Sequence, residues 1–336
     1  MLRVFTAFIL LIALLTPAST VGQQETTALF PVVVKGRWGY IDRAGKIVIK
    51  PQFDYAFSFV EGMARIKVSK KFGFIDHSGK QVVLPRFDAA SDFSEGLAAV
   101  IVGGRWGFIS RAGRLVIQPQ FHWVGSFSEG VATVRLHPMN QSGGKDGFID
   151  RSGRVIKEAL FDDTYEFSEG LAAVRTGGKC GYIDRQWRMV IRPQFFHAGR
   201  FINGVAAVEL ESRDDALIDR TGRIIIGPEL RPAANFFDGL ARVYVIGGRK
   251  GLYGYIDQTG EVVIRPKFET ADDFSEGLAR VVVNNQHGFI NKSGLFAVKP
   301  QFDNAERFSN GLARVWVDGR LGYIDRTGKY VWEPTE

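Results

Sequence analysis

The chain of 336 residues contains a single cysteine, Cys180, and only four methionines. One thiol excludes an internal disulfide, so packing alone must hold the fold. Histidine is scarce too. The five histidines (77, 122, 137, 197 and 287) occupy unrelated positions with no close pair, and no metal-ligand spacing results. Basic residues never form a run, and aromatics do not track them, so a nucleic-acid surface is not expected. The glycine pairs in Gly103-Gly104-Arg105 and Gly247-Gly248-Arg249 sit between strands. A phosphate cradle needs a helix terminus to gather its amides.

Long apolar runs are missing except at the start. Arg3 is followed by an apolar stretch from Val4 to Leu15, then Pro17 and small residues to Gly22. A basic start, a short apolar core and a small-residue exit describe a signal peptide. A spanning helix needs about 20 apolar residues, more than this run has. Residues 1–22 are therefore expected to be a signal peptide and 23–29 a short linker, making the protein periplasmic, cell-surface or secreted. Loss of Arg3 lowers the net charge from +7 to +6, and no transmembrane segment is expected in the mature chain.

What the sequence has in abundance is glycine (39) and phenylalanine (27), the mark of short strands joined by tight turns. It also repeats. Taking the glycine of Trp38-Gly39-Tyr40-Ile41-Asp42 as origin, copies start at 39, 73, 107, 147, 181, 216, 254, 288 and 322. An isoleucine recurs at 41, 75, 109, 149, 183, 218, 256, 290 and 324, and an alanine at 64, 98, 132, 172, 206, 241, 279 and 313. Each unit of residues 30–336 divides into three strands. One is of the type Leu278–Val283, the next of the type Gly288-Phe289-Ile290, the third of the type Ile47-Val48-Ile49. Between the last two stands a turn such as Asp42-Arg43-Ala44-Gly45, where Asp bonds to nearby amides and Gly supplies positive φ. A proline ends the third strand, and a connection with two phenylalanines leads onward.

A meander this small cannot bury its apolar face alone. Neighbours must stack and bury the Ile, Ala and Phe columns together.

The run Gly36 to Lys46, with Pro51-Gln52-Phe53-Asp54 and Phe93-Ser94-Glu95-Gly96-Leu97-Ala98, resembles the bacterial WG β-repeat family. The signature tryptophan survives only as Trp38 and Trp106; Phe72, Asp146, Cys180, Asp215, Tyr253, His287 and Leu321 fill the slot elsewhere. The sixth unit departs furthest, with Ala216-Leu217 for Gly-Tyr. The resemblance implies a binding or scaffolding array without known catalysis.

Nine units exceed the usual four to eight propeller blades, and neither terminus donates a strand to the other. The expected fold is therefore all-β, an open twisted stack of three-stranded meanders, with a closed propeller-like ring as the alternative. No enzyme activity and no cofactor or metal are expected, because the polar residues fall in columns. Aspartates 42, 76, 150, 184, 219, 257 and 325 share one turn position, and glutamates 61, 95, 129, 169 and 276 another. Cys180 stands in a core slot and is read as packing.

A protein partner is the expected ligand, with an envelope glycan as the alternative, through Trp123, Tyr244 and Trp316. Insertions collect in the turn before the motif glycine, on a rim rich in Lys and Arg. Candidate binding residues are Arg242, Tyr244, Arg280, Arg314 and Trp316 on outward strand positions, and Lys145, Arg249 and Lys250 on that rim.

Overall fold

The computed structural model describes residues 28–136, 145–227, 235–247 and 250–335. The expected signal peptide lies outside these, as do most of the linker, His137 and Arg249. Among the described residues the strands form nine small antiparallel sheets in consecutive order. We call them blades 1 to 9. They span residues 30–53, 55–87, 90–121, 123–161, 163–195, 197–226, 241–268, 270–302 and 304–335.

The sheets close into a ring, which corrects the expected open stack. Nine sheets in a row would share eight interfaces, but nine hydrophobic cores separate them. The ninth packs Phe30, Val32 and Ile41 of blade 1 against Leu312, Leu321 and Tyr323 of blade 9. The phenol of Tyr323 donates to the carbonyl of Pro31 at 2.9 Å, across 292 residues of chain. Among the described residues no strand is exchanged between blades 1 and 9. The seam is closed by side chains.

Six blades have a fourth strand, which is the second correction. In blades 4, 5, 6, 8 and 9 it is only two residues long, for example Trp123–Val124 and Asp163–Thr164. It comes from the two-phenylalanine connection and precedes the long strands. Two residues are too few to show the alternation that marks a strand. We place this short strand on the axis side, where a ring leaves the least circumference. The last strand of each blade forms the outer wall. There, consecutive residues on opposite faces are both exposed, as in Ile47-Val48, Leu115-Val116 and Val262-Val263, because the blades splay apart.

The repeated columns are packing positions. Every isoleucine of the motif and every alanine of its column is at most 1% exposed. The motif glycine serves a close approach. In blade 1 the register jumps from Tyr40↔Ile49 to Trp38↔Phe53, so the last strand bulges at Pro51 and crosses over Gly39. A Cβ on Gly39 would lie 2.4 Å from the carbonyl oxygen of Ile49. Blade 6 carries Ala216 there, and its last strand ends early, at Ile226.

Blades are also linked by polar bonds. The Glu-Gly turns form a chain around one face. Glu61 accepts from the amides of Glu95 (2.7 Å) and Gly96 (2.9 Å) in the next blade, Glu95 from Gly130, Glu129 from Gly170, and Glu276 from Gly311. Arg111 adds an ion pair to Glu61 at 3.1 Å. Burial opposes ionisation of Glu61, but the amide of Gly96, Arg111 and the amide of Glu95 outweigh it and hold the carboxyl below its ordinary value. Tyrosines of the motif act similarly: Tyr40 donates to Phe57 O (2.7 Å), Tyr182 to Gly199 O (2.7 Å) and Tyr255 to Asp272 O (2.6 Å).

Candidate functional site

Three of the basic rim residues are neutralised by a carboxylate, and a fourth meets a histidine. Arg37 pairs with Asp54, Lys71 with Asp88 and Lys145 with Asp162, while Arg105 contacts His122. In all four the partner lies 17 residues ahead. Exposed pairs of this kind contribute less than about 1 kcal/mol each. Lys250 begins the blade 7 strand that pairs with Ala241–Gly247.

The remaining predicted residues do not converge on one site. Trp316 packs into the core between blades 9 and 1. Tyr244 lies against Tyr253 with ring centres 4.9 Å apart. Arg280 makes two bonds to Asp272, at 2.6 and 2.7 Å. Arg314 donates to the Tyr323 hydroxyl at 2.8 Å. Cys180 is buried, and burial raises its thiol above the ordinary value despite Arg175, as befits a packing residue. Among the described residues no group of three His, Cys, Asp or Glu could hold a metal ion.

One place is built differently. Pro31, Arg65, Ala99, Thr133, Ala173, Ala207, Arg242, Arg280 and Arg314 share a register position, opposite the motif aromatic or Leu217. Between blades 4 and 5 the position is Thr133, and a cavity of about 380 Å³ opens beside it. Trp123 and Gly125 border it from blade 4, Thr164, Tyr165 and Glu166 from blade 5, and Arg200 from blade 6. Trp123 and Tyr165 are 40% and 37% exposed. Thr133 and Thr164 are only 1% and 3% exposed, yet neither hydroxyl has a hydrogen-bond partner. A buried hydroxyl without a partner costs about 1–3 kcal/mol, and two of them border this one opening.

Local structure explains the opening. Gly125 leaves the space in which the Thr133 hydroxyl sits; a Cβ there would stand 2.4 Å from that oxygen. Trp123 is held from behind by Arg135, whose guanidinium is 5.9 Å from the indole centre. Arg135 is fixed by two bonds, at 2.6 and 3.0 Å, to the fully buried carboxylate of Asp146. Burial pushes Asp146 above the ordinary carboxylate range against the pull of Arg135. Glu166 accepts from the amide of Ser126 at 3.2 Å and stands 3.9 Å from Arg200. The site therefore offers two aromatic faces, several acceptors and one cation, Arg200. Trp123 was named from the sequence; Thr133, Thr164, Tyr165 and Glu166 were not. The available signal was Thr133 and Thr164, the hydroxyls that interrupt columns of Arg or Ala and of Ala or Val.

A family model described as "WG containing repeat" matches residues 38–72, 72–106, 106–137, 147–180, 181–213, 217–248, 253–286 and 288–320. Each match begins in the middle of one blade and ends in the next, so eight matched units span the nine sheets. Among curated proteins no relative matches the chain. Similar solved structures include "Crystal structure of the eukaryotic initiation factor", with 13% identity, 90% of this chain and 95% of that chain covered, and a TM-score of 0.65. The computationally designed Ika8 protein follows, with 9% identity, coverage of 91% and 99%, and a TM-score of 0.48. BamB from Moraxella catarrhalis shows 13% identity, coverage of 80% and 90%, and a TM-score of 0.44. Likeness at this identity concerns the fold, and only the first reaches a TM-score above 0.5.

Proposed function

The chain belongs to the WG containing repeat family, and from that premise we propose that it is an exported, non-catalytic binding propeller that takes hold of a protein partner at the notch between blades 4 and 5. One observation carries the reading: two exposed aromatic rings, Trp123 and Tyr165, flank two buried hydroxyls that have no partner. Exposed Trp and Tyr beside Arg are the residue types that anchor protein interfaces. The fold supports the reading as well, since closed rings of near-identical blades present variable positions on a constant core. Export rests on the charge and hydropathy of residues 1–22.

A second reading, a glycan ligand at the same notch, is favoured by the flat aromatic faces beside Glu166 and Arg200. The test compares the full mature chain with Trp123→Ala. Immobilised protein is challenged with an extract of its own cells and, separately, with a glycan array. Proteins retained by the parent and lost by the variant support the main reading. Glycan binding that depends on Trp123, with no protein retained, replaces it by the second. Equal retention by parent and variant overturns both. Amino-terminal sequencing of the protein from cell fractions checks export: cleavage near Gly22 supports it, and an intact Met1 contradicts it.

A further inference from the structure

The repeat carries its own example of what the notch holds. In blade 2, Arg65 reaches into blade 3, where it donates to the carbonyl of Ala90 and its Nε lies 3.2 Å from the Asp92 carboxylate. In blade 7, Arg242 does the same toward blade 8: it donates to Ala271 O at 2.6 Å and its Nε lies 3.6 Å from Asp273. The receiving set is thus a carbonyl and, two residues later, a carboxylate, both in the segment that leads into the long strands of the following blade.

Blade 5 repeats that set. Thr164 pairs with Val174 as Ala90 pairs with Val100 and Ala271 with Val281. Glu166 follows Thr164 by two residues, as Asp92 follows Ala90 and Asp273 follows Ala271. The amide two bonds away behaves alike: Tyr165 donates to Ala173 O at 3.0 Å, as Ser91 does to Ala99 O at 2.8 Å. The carbonyl of Thr164 is therefore turned off the ladder as those of Ala90 and Ala271 are. What blade 4 lacks is the arginine. Thr133 stands at its position, Gly125 withholds a side chain, and the space is the cavity described above. Blades 1, 3, 5 and 6 also lack the arginine, with Pro31, Ala99, Ala173 and Ala207, but the blades they face carry Ser58, Ser126, Arg200 and Asn235 in place of the carboxylate.

We propose that the notch binds a guanidinium group presented by the partner, an arginine side chain that completes from outside the contact which Arg65 and Arg242 make from within. The planar cation would bond to Glu166 and the Thr164 carbonyl, give its remaining N–H groups to the hydroxyls of Thr133 and Thr164, and lie against Trp123 or Tyr165. Glu166 would exchange its distant partner, Arg200, for the incoming cation. This rests on the reading of the notch as a protein-binding site and names the chemistry it selects.

The test uses the full mature chain and isothermal titration with N-acetyl-arginine amide, its neutral citrulline analogue and the lysine amide. The arginine amide is expected to bind best, with the citrulline form weaker by about tenfold or more, the scale of one charge-assisted bond. Thr133→Arg should fill the site with its own side chain and abolish binding, while Glu166→Gln and Thr133→Val should each weaken it. The latter two serve should Thr133→Arg not fold. Absence of binding to the parent chain, equal binding of citrulline, or unchanged binding in Glu166→Gln overturns the inference. If the arginine amide does not bind while protein retention still depends on Trp123, this inference fails and the notch reading stands. If retention is indifferent to Trp123, both fail.

Discussion

Asp146 has no exposed side-chain surface, and its charge is answered by Arg135 alone among side chains within bonding distance. Removing one member of such a pair leaves the other buried and uncompensated, a loss of about 3–5 kcal/mol. Asp146→Ala is expected to lower stability by that order in denaturant titration, and to loosen Trp123, which rests on Arg135. A loss below about 1 kcal/mol, the range of an exposed pair, would contradict the assignment. At the same scale, Asp146 shows what a sequence can hide. It occupies the slot of the signature tryptophan, and its bonds to Arg135 on the neighbouring strand, with a bond from the backbone of Thr164, explain how a carboxylate is tolerated there.

The turn between the third and last strands is the clearest local device. Asp76 Oδ1 accepts from the amides of Ser78 (2.9 Å) and Lys80 (3.1 Å) and from the Ser78 hydroxyl (2.6 Å). Asp219 does likewise with Thr221 and Arg223. The Ser78 hydroxyl bond is the main cause that holds Asp76 below its ordinary value, and the Thr221 hydroxyl brings Asp219 down to about 2. A carboxyl with a depressed folded-state pKa stabilises the fold above its unfolded value and loses that contribution as pH falls through the folded one. The melting temperature should therefore fall as pH drops from about 4 to about 2. Asp219→Asn should flatten part of that slope while keeping the turn, since Asn291 makes the same amide bonds at 3.0 and 3.1 Å. A parent chain with a flat profile over this window would refute the assignment.

The motif glycine gives a second prediction for the element. A Cβ on Gly73 would meet the carbonyl of Val83 at 2.5 Å. Backbone cannot retreat as a side-chain end can, so Gly73→Ala is expected to cost at least the 1–3 kcal/mol typical of overpacking; a neutral result in thermal unfolding would contradict the bulge geometry. The periodicity made the three long strands, the Asp turn and the core columns legible, because each is a local pattern repeated many times. The two-residue first strand was not legible, because it exists only through pairing with Leu171–Thr176 and its equivalents. The notch was hidden for the same reason: its carbonyl and carboxylate lie on one blade and the missing arginine on another.

Ring closure lies beyond any local pattern. Two whole terminal blades read as evidence for an open stack, yet the interface between them repeats the contacts found elsewhere. Gly311 faces Arg43 across the seam as Gly277 faces Arg326, and Phe30 meets the Tyr323 ring at 5.6 Å. A ninth interface that matches the other eight needs no strand exchange. Tyr323→Ala, which removes both the ring contact and the bond to Pro31, should destabilise the chain by about 3–5 kcal/mol and do so by opening this seam first, visible as early hydrogen exchange in blades 1 and 9. Uniform loss of protection around the ring would argue against a distinct seam.

The most direct measurement is the distance across that seam in solution. Spin labels at Ala44→Cys in blade 1 and Asn310→Cys in blade 9, with Cys180 replaced by alanine, can be read by pulsed electron resonance. Sheets pack about 10 Å apart, so adjacent blades place the labels within about 10–20 Å, whereas the ends of a nine-sheet row would lie about 80 Å apart. The ring predicts the short distance as the dominant population. A distribution centred on the long one would contradict it.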